Sequence, residues 1–512
     1  MATPMVASTG AATATAGALL LAPFADELDQ IAPRFDLDGG SQVRVLESPA
    51  EFYETLKTMI RGAKRRVFLS TLYIGKSERE LIQVLREALT NNPELHVSIL
   101  TDALRGTREA PNPSSASLLV PLVSEFGADR VEIRMYHTPN LTGFRKKHIP
   151  KRINEGWGLQ HMKLYGADDA ILLSGANLST DYFTNRQDRY HLFASAELTE
   201  FYWKLQRGVA SLSFRIDPED TTVKADGFNM VWPATNAAPS PLEAPKEFIS
   251  KATAVLRELI VPHAKPLPSP VSAAANTGLG PDTSVYVLAQ LTQLLKPDCS
   301  TERPAVTRVL ERLADETEKK KGTYKDASWT FTAGYFNPDP SLTKLLLATG
   351  CERGNTVITA SPQANGFYKS AGVSGLLPDA YTFLAHRFLR AVNQQGRSSA
   401  ITLKEWQKGT VGQPGGWTYH AKGLWVNLPN TGTLTLIGSS NYTKRSYSLD
   451  LEANALVVTR NTELQKRLRD EQAWLQTHAT AVTRDDFAQP ERRVRLHVRV
   501  AMWIVQLAGG QL

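Results

Sequence analysis

Two stretches of the chain, 259 positions apart, repeat one another in where they place their chemistry-bearing residues. A chain that carries one pattern twice is constrained to build one supersecondary unit twice. The first stretch reads HMKLYGADDAILLSGANLS from 161, and the second reads YHAKGLWVNLPNTGTLTLIGSSNYTKRSYSLDLEA from 419. His161 and Lys163 are two apart, as are His420 and Lys422. On a strand, alternate residues share a face, so each pair can project into one pocket. The apolar runs ILLSGAN and LTLIGSSN then read as buried strands ending in small-residue turns. Those turns deliver Ser174, Gly175 and Asn177 in the first copy, and Gly438, Ser439 and Asn441 in the second. Eleven residues past each asparagine stands a carboxylate, Asp188 or Glu452. One His-x-Lys alone would read as an ordinary surface strand; the second copy makes it a constellation.

The duplication extends upstream. RRVFLSTLYIGKSERELIQVLREALTNNPELHVSILTD from 65 parallels ASWTFTAGYFNPDPSLTKLLLATGCERGNTVITAS from 327, each reading strand, loop, helix, strand. Tyr73 and Tyr335 are 262 apart, close to the histidine interval. The expected fold class is therefore α/β, with two tandem units, each a mixed sheet flanked by helices. A pseudo-twofold relation would place the active site between them. At 512 residues the chain can bury two large cores. Residues 1–40, rich in Ala and Thr at the start, are expected to be disordered, and 41–216 to form the first unit. The Pro-, Ala- and Ser-rich stretches 232–245 and 266–281 mark 217–325 as a linker and helical connection. The second unit is expected over 326–490, followed by a basic, apolar segment over 491–512.

The residue types suit phosphoryl chemistry. Lys163 and Lys422 supply cations, and Asn177 and Asn441 supply amide donors for non-bridging oxygens. One histidine can attack phosphorus while the other moves the proton. Asp188 and Glu452 are placed to accept a hydrogen bond from a histidine Nδ1, with Asp450 competing for Glu452's role. Asp168, with Asp169 beside it at the end of its strand, reads as a loop tie more than a proton carrier. No metal or cofactor is required.

These residues resemble the phospholipase D superfamily, whose repeated H-x-K-x4-D motif is followed by G-x-N or G-S-x-N. His161, Lys163, Asp168, Gly175 and Asn177 match in the first half. His420, Lys422, Gly438, Ser439 and Asn441 match in the second, where Asn427 replaces the expected Asp. GLQHMKLYGADDAILLSGANLSTDYFTNRQDRY, with YHAKGLW, LTLIGSSNY, RS and DLEA later, is similar to the eukaryotic mitochondrial phosphatidylglycerophosphate synthases over most of 40–505. The resemblance implies tandem phospholipase D-like domains and transfer of a phosphatidyl group from CDP-diacylglycerol to glycerol 3-phosphate, on the path to cardiolipin. It implies His161 as nucleophile and His420 as general acid/base. Arg189 and Arg445, beside the two motifs, are candidates for the acceptor's phosphate, and Ser174 and Ser439 for other substrate contacts. A phosphatidylserine synthase and a hydrolase or nuclease of the same superfamily are the neighbouring activities. A lipid-binding protein with a dead site has only Asn427 in its favour.

A net charge of +7 is partly clustered in GFRKKHIPKRINEGWG. There Arg145, Lys146, Lys147, Lys151 and Arg152 stand with Phe144 and Trp157, a composition suited to an anionic membrane surface. No nucleic-acid partner is expected. ERRVRLHVRVAMWIVQL, with Trp503, reads either as an interfacial helix or as a closing strand. No apolar run approaches the roughly 20 residues of a spanning helix. The resemblance implies peripheral attachment at the matrix face of the mitochondrial inner membrane. The start of the chain does not read as a presequence, since Asp26, Glu27 and Asp29 precede the first basic residue, Arg34. Cys299 and Cys351 lack a metal spacing and read as free thiols.

Overall fold

The computed structural model describes residues 20–502 apart from 111, 151–153, 220–226, 263–268, 272–279, 495–497 and 500–501. Two nine-stranded mixed sheets organise it. The first runs, edge to edge, Val43–Leu46, Tyr190–Ala194, Ala170–Ser174, Leu164–Ala167, Arg66–Ser70, His96–Asp102, Val131–Tyr136, Phe214–Pro218 and Phe228–Val231. The second runs Arg34–Leu37, Thr283–Gln290, Glu452–Thr459, Gly432–Gly438, Lys422–Leu428, Ser328–Ala333, Asn355–Ala360, Ile401–Trp406 and Ala479–Ala481. Apart from one extra edge strand in each, the order is the same. The copy expected at 65 and 327 is there, with Arg66–Ser70 matching Ser328–Ala333 beside the motif strands.

Helix signals in the sequence carry the layers around these sheets. Ser48 caps the helix Pro49–Gly62, Ser195 caps Ala196–Ala210 and Asn461 caps Thr462–Gln476, each side chain accepting an otherwise unpaired backbone N–H of the first turn. A shared core fills the space between the halves, where Leu164, Ile171 and Leu173 meet Val285, Trp425, Ile437 and Ala453. The outer faces bury their own helices, Pro49–Gly62, Arg79–Asn91 and Ser115–Phe126 on the first sheet. On the second they are Glu302–Ala314, Pro340–Ala348 and Leu377–Gln394.

Three expectations about boundaries are corrected. Residues 20–28 are helical, and Leu21, Phe24, Ala25 and Leu28 are fully buried in the second unit's core. Arg34–Leu37 then pairs antiparallel with Thr283–Gln290, so 20–40 is an ordered part of the second unit. An Ala- and Thr-rich start hides the short apolar face that drives this docking. The second unit also begins well before 326, because Thr283–Gln290 is buried throughout and matches Val43–Leu46 of the first. Within the expected linker, Pro245–Ile260 packs its Phe248, Ala252 and Leu256 into the shared core. At the C-terminal segment, residues 498, 499 and 502 are helical, and Val498 and Met502 lie against Ala380. Trp503 is outside the described residues.

A buried ion pair also joins the halves. Arg189, expected to bind substrate, is fully buried and donates to both carboxylate oxygens of Glu471 at 2.9 Å. Its guanidinium lies 3.7 Å over the Trp425 ring and donates to Thr435 Oγ1. His191 Nε2 meets the same carboxylate at 3.0 Å. Burial opposes the Glu471 charge, but Arg189 and His191 outweigh it and hold the carboxyl down at about 2. Glu471→Gln strands a buried cation and is expected to destabilise the fold by about 3–5 kcal/mol at pH 7. Because the folded carboxyl titrates below the ordinary value of 4.5, the stabilisation is complete above that value and is lost as pH falls towards 2. Urea titrations at pH 7 and pH 3 should therefore show the gap between variant and wild type narrowing in acid.

Candidate active site

The motif lysines head or precede their strands, and the histidines do not lie in them. Leu164–Ala167 and Lys422–Leu428 begin after His161 and His420 respectively. Both histidines sit in extended segments that run alongside the opposite half. His161 N–H donates to Leu451 O at 2.9 Å, and Leu451 N–H returns a bond to Leu159 O at 2.8 Å. In the same pattern His420 N–H donates to Gln187 O at 2.8 Å, and Thr418 N–H to Asn185 O at 3.0 Å. Each carbonyl that receives a histidine N–H belongs to the residue just before Glu452 or Asp188.

That backbone pairing fixes the side chains crosswise. His161 Nδ1 lies 2.9 Å from Glu452 Oε2, and His420 Nδ1 lies 2.6 Å from Asp188 Oδ2. Each imidazole is therefore held by the carboxylate of the other half. An ionised carboxylate only accepts, so Nδ1 carries the proton and Nε2 keeps its lone pair. Ser439 Oγ donates to Glu452 Oε2 at 2.5 Å and orients that carboxylate. Lys422 Nζ stands against the His420 ring, 2.8 Å from Nδ1 and 3.2 Å from Nε2, and donates to Gly175 O of the other half at 3.2 Å. A side chain at Gly175 would put its Cβ 2.7 Å from both Lys422 Nζ and Asp188 Oδ1, so only glycine leaves room for that approach. Lys163 Nζ donates to His161 O at 2.7 Å.

Burial sets the charge states. It holds both imidazoles well below their ordinary value, with Lys163 reinforcing the effect at His161 and Lys422 at His420. It pushes Glu452 up to about 7 against the pull of Lys163, and Asp188 up to about 6 against Lys422. Lys163 and Lys422 are themselves lowered by burial, with Glu452 and Asp188 opposing. Neutral imidazoles with free Nε2 lone pairs are the form that attacks phosphorus or accepts a proton. Among the described residues no group of three or more His, Cys, Asp or Glu side chains is placed to hold a metal ion.

The other expected site residues divide. Asn177 donates from Nδ2 to Tyr182 Oη at 3.1 Å and faces the site, and Asn441 stands at the matching turn with its Oδ1 unpartnered. Arg445 sits at the rim, half-buried, its Nε 3.1 Å from Asp450 Oδ2. Asp168 stands as the loop tie its position suggests, not as a proton carrier of the motif: it occupies the hairpin turn at the far end of its strand with φ 47 and accepts the N–H groups of Lys64, Arg65 and Arg66. Asn427, at the matching position, donates to Gln472 Oε1 at 3.1 Å. The motif acid is a structural tie in both halves, and its replacement by Asn leaves the histidines untouched. Ser174 is also corrected, since its Oγ donates to Arg189 O at 2.7 Å. Arg145, Lys146 and Lys147 lie exposed on the short helix Gly143–His148, while Lys151 and Arg152 are outside the described residues. Sequence reasoning did not single out Tyr182, which touches His420 Nε2 at 3.2 Å, or Thr71, whose Oγ1 reaches Asn177 Oδ1 at 3.4 Å. Tyr335, noted only as a repeat marker, packs edge-on to His420 at 5.3 Å.

Gly175→Ala is expected to displace Lys422 and destabilise the fold by about 1–3 kcal/mol, the range for forcing a methyl into packed surroundings. Gly62→Ala, where a Cβ meets nothing within 4 Å, should be neutral or slightly stabilising. Paired urea titrations measure both.

No protein-family model matches the chain. A curated CDP-diacylglycerol–glycerol-3-phosphate 3-phosphatidyltransferase of Saccharomyces pastorianus is 44% identical over 473 residues, covering 90% of this chain and 87% of that protein. The human protein of that name, designated mitochondrial, is 37% identical, covering 93% of this chain and 84% of its own. Among solved structures, the phosphatidylserine synthase of Haemophilus influenzae superposes with a TM-score of 0.68 at 20% identity, covering 95% of this chain and 97% of that one. At that identity the likeness shows the fold alone. With relatives this similar over nearly the whole chain, and the duplicated His-x-Lys and Asn constellation meeting across one cleft, the protein belongs to the CDP-diacylglycerol–glycerol-3-phosphate 3-phosphatidyltransferase family.

Proposed function

We propose that the chain transfers a phosphatidyl group from CDP-diacylglycerol to glycerol 3-phosphate, releasing CMP, through a phosphatidyl-histidine intermediate. The observation that carries the mechanism is the crossed pairing, in which each imidazole turns Nδ1 to a carboxylate of the other half and keeps the lone pair on Nε2. Relatives at 37% and 44% identity bearing this enzyme name support the choice of donor and acceptor.

His161 is the nucleophile. Its Nε2 makes no hydrogen bond among the described residues, whereas His420 Nε2 lies 3.2 Å from both Tyr182 Oη and Lys422 Nζ. His161 Nε2 attacks the phosphorus bearing the diacylglycerol, and CMP leaves. Lys163, Lys422, Asn177 and Asn441 then hold the non-bridging oxygens as charge builds on them. In the second step the glycerol 3-phosphate hydroxyl gives its proton to His420 Nε2, its oxygen bonds to phosphorus, and the bond to His161 breaks. Asp188 and Glu452 stabilise the imidazolium formed at each stage. Two inversions give retention at phosphorus. Arg445 at the rim is the candidate for the acceptor's phosphate, a role the buried Arg189 cannot fill.

The exposed basic helix is the membrane-facing element in this reading. Phe144 is 78% exposed among Arg145, Lys146 and Lys147, an apolar tip ringed by cations. Among the described residues no helix is long and apolar enough to cross a membrane. The mitochondrial designation of the vertebrate relatives supports attachment to a mitochondrial membrane; the matrix face is the side this proposal assigns. Phe144→Ala is expected to weaken binding to anionic vesicles by about tenfold in co-sedimentation, the loss of one inserted aromatic ring.

The order of the histidines is tested with CDP-diacylglycerol in detergent. CMP is a phosphate leaving group that departs with little protonation, so His420→Asn should still form the intermediate and release about one CMP per enzyme, then stall. His161→Asn should release none. Rapid-quench measurement of CMP decides it; a burst from His161→Asn instead would reverse the roles.

A further inference from the structure

The cleft is not symmetric at its two Nε2 atoms. Five residues past Asn177 stands Tyr182, and five past Asn441 stands Ser446. Tyr182 Oη lies 3.2 Å from His420 Nε2 and accepts from Asn177 Nδ2 at 3.1 Å, so the phenol spans the gap between an imidazole and an amide of the site. Since Nδ1–H of His420 donates to Asp188, Nε2 is the acceptor and the phenol donates. The ring meets the His420 ring edge-on at 5.1 Å and is 2% exposed. Ser446 turns away to its own backbone, its Oγ accepting from Asn441 N–H at 3.3 Å, and leaves His161 Nε2 without such a cap.

Residues beside the phenol in sequence tie it to the opposite half. The Arg186 guanidinium lies 4.5 Å over the Tyr182 ring and donates to Thr418 Oγ1 at 2.9 Å. Asn185 Nδ2 donates to Gly416 O at 3.0 Å. The short helix Thr180–Thr184 that carries Tyr182 is thereby clamped to the segment that carries His420.

We propose that Tyr182 is a specificity-determining residue, whose hydroxyl fills the position a water would take at the base His420 and so sets the partition between transfer and hydrolysis. This rests on the phosphatidyl-histidine reading above. In hydrolysis a water would give its proton to His420 Nε2, its oxygen would bond to phosphorus, and the bond to His161 would break, yielding phosphatidic acid. Water is present at about 55 M, and the enzyme must discriminate against it. A water brings no binding energy with which to displace the phenol. Glycerol 3-phosphate does, because its phosphate is bound away from the reacting hydroxyl and can drive that displacement.

The test uses the full-length enzyme with CDP-diacylglycerol in detergent and saturating glycerol 3-phosphate, with phosphatidylglycerophosphate and phosphatidic acid quantified together by mass spectrometry. Tyr182→Phe keeps the ring and removes the hydroxyl. The phosphatidic acid share is expected to rise on the order of tenfold in that variant while phosphatidylglycerophosphate is still made. An unchanged share with a lower total rate would overturn the proposal, leaving Tyr182 as a residue that only positions His420. Should the variant not fold, the wild type is offered methanol: exclusion of this small hydroxyl supports the cap, and phosphatidylmethanol formed as fast as phosphatidylglycerophosphate overturns it. A wild type that makes no phosphatidylglycerophosphate at all brings down the parent reading, and this one with it.

Discussion

Each motif imidazole takes its orientation from a carboxylate of the opposite half, and most of the interface follows from that crossing. Glu452 can reach His161 only if Leu451 pairs with the chain just before that histidine, and Asp188 can reach His420 only if Gln187 does the same. These paired segments bring the two sheets together around the shared core of Leu164, Ile171, Trp425 and Ile437. Neither half can complete a histidine and carboxylate pair alone. The duplication is thus used in trans within one polypeptide, which explains why both copies of the pattern are present.

Burial is what makes the crossing useful. Taking an imidazole out of water favours its neutral form, and taking a carboxylate out of water raises its pKa. Both effects would be costly without partners, so the cations and acids of the site are interleaved, with Lys422 between Asp188 and the Gly175 carbonyl and Lys163 beside Glu452. A second buried network, Arg189 with Glu471 and His191, lies just behind and fastens the strand after Asp188 to the last long helix of the other half. Its arginine is next to Asp188 in sequence, yet Asp188 turns to His420 while Arg189 turns to Glu471.

Much of this was legible in the sequence because the pattern is local and repeated. The His-x-Lys spacing, the small-residue turns with Asn177 and Asn441, and the acids eleven residues beyond each turn are all short-range features, and the fold delivers them to one cleft. What the sequence did not carry was pairing across the halves. Nothing in the spacing says that Asp188 serves His420 rather than His161, because that depends on how two surfaces dock. Tyr182 was missed for the same reason, since its partner is 238 residues away. The motif acid is legible as a tie from its place at the far end of the strand: Asp168 holds the hairpin turn to the Lys64–Arg66 backbone, and Asn427 ties its strand to Gln472. Residues 20–28 were read as disordered from composition, although four buried apolar side chains anchor them to the second unit.

The most direct test of the crossed site reads the imidazole nitrogens themselves. In protein labelled with nitrogen-15 at histidine, NMR should find His161 and His420 neutral near pH 7, with the proton on Nδ1 in each. Glu452→Gln should disturb the signals of His161 and spare the tautomer of His420, while Asp188→Asn should do the reverse. If each carboxylate instead governs the histidine of its own half, the crossed account of this site is wrong.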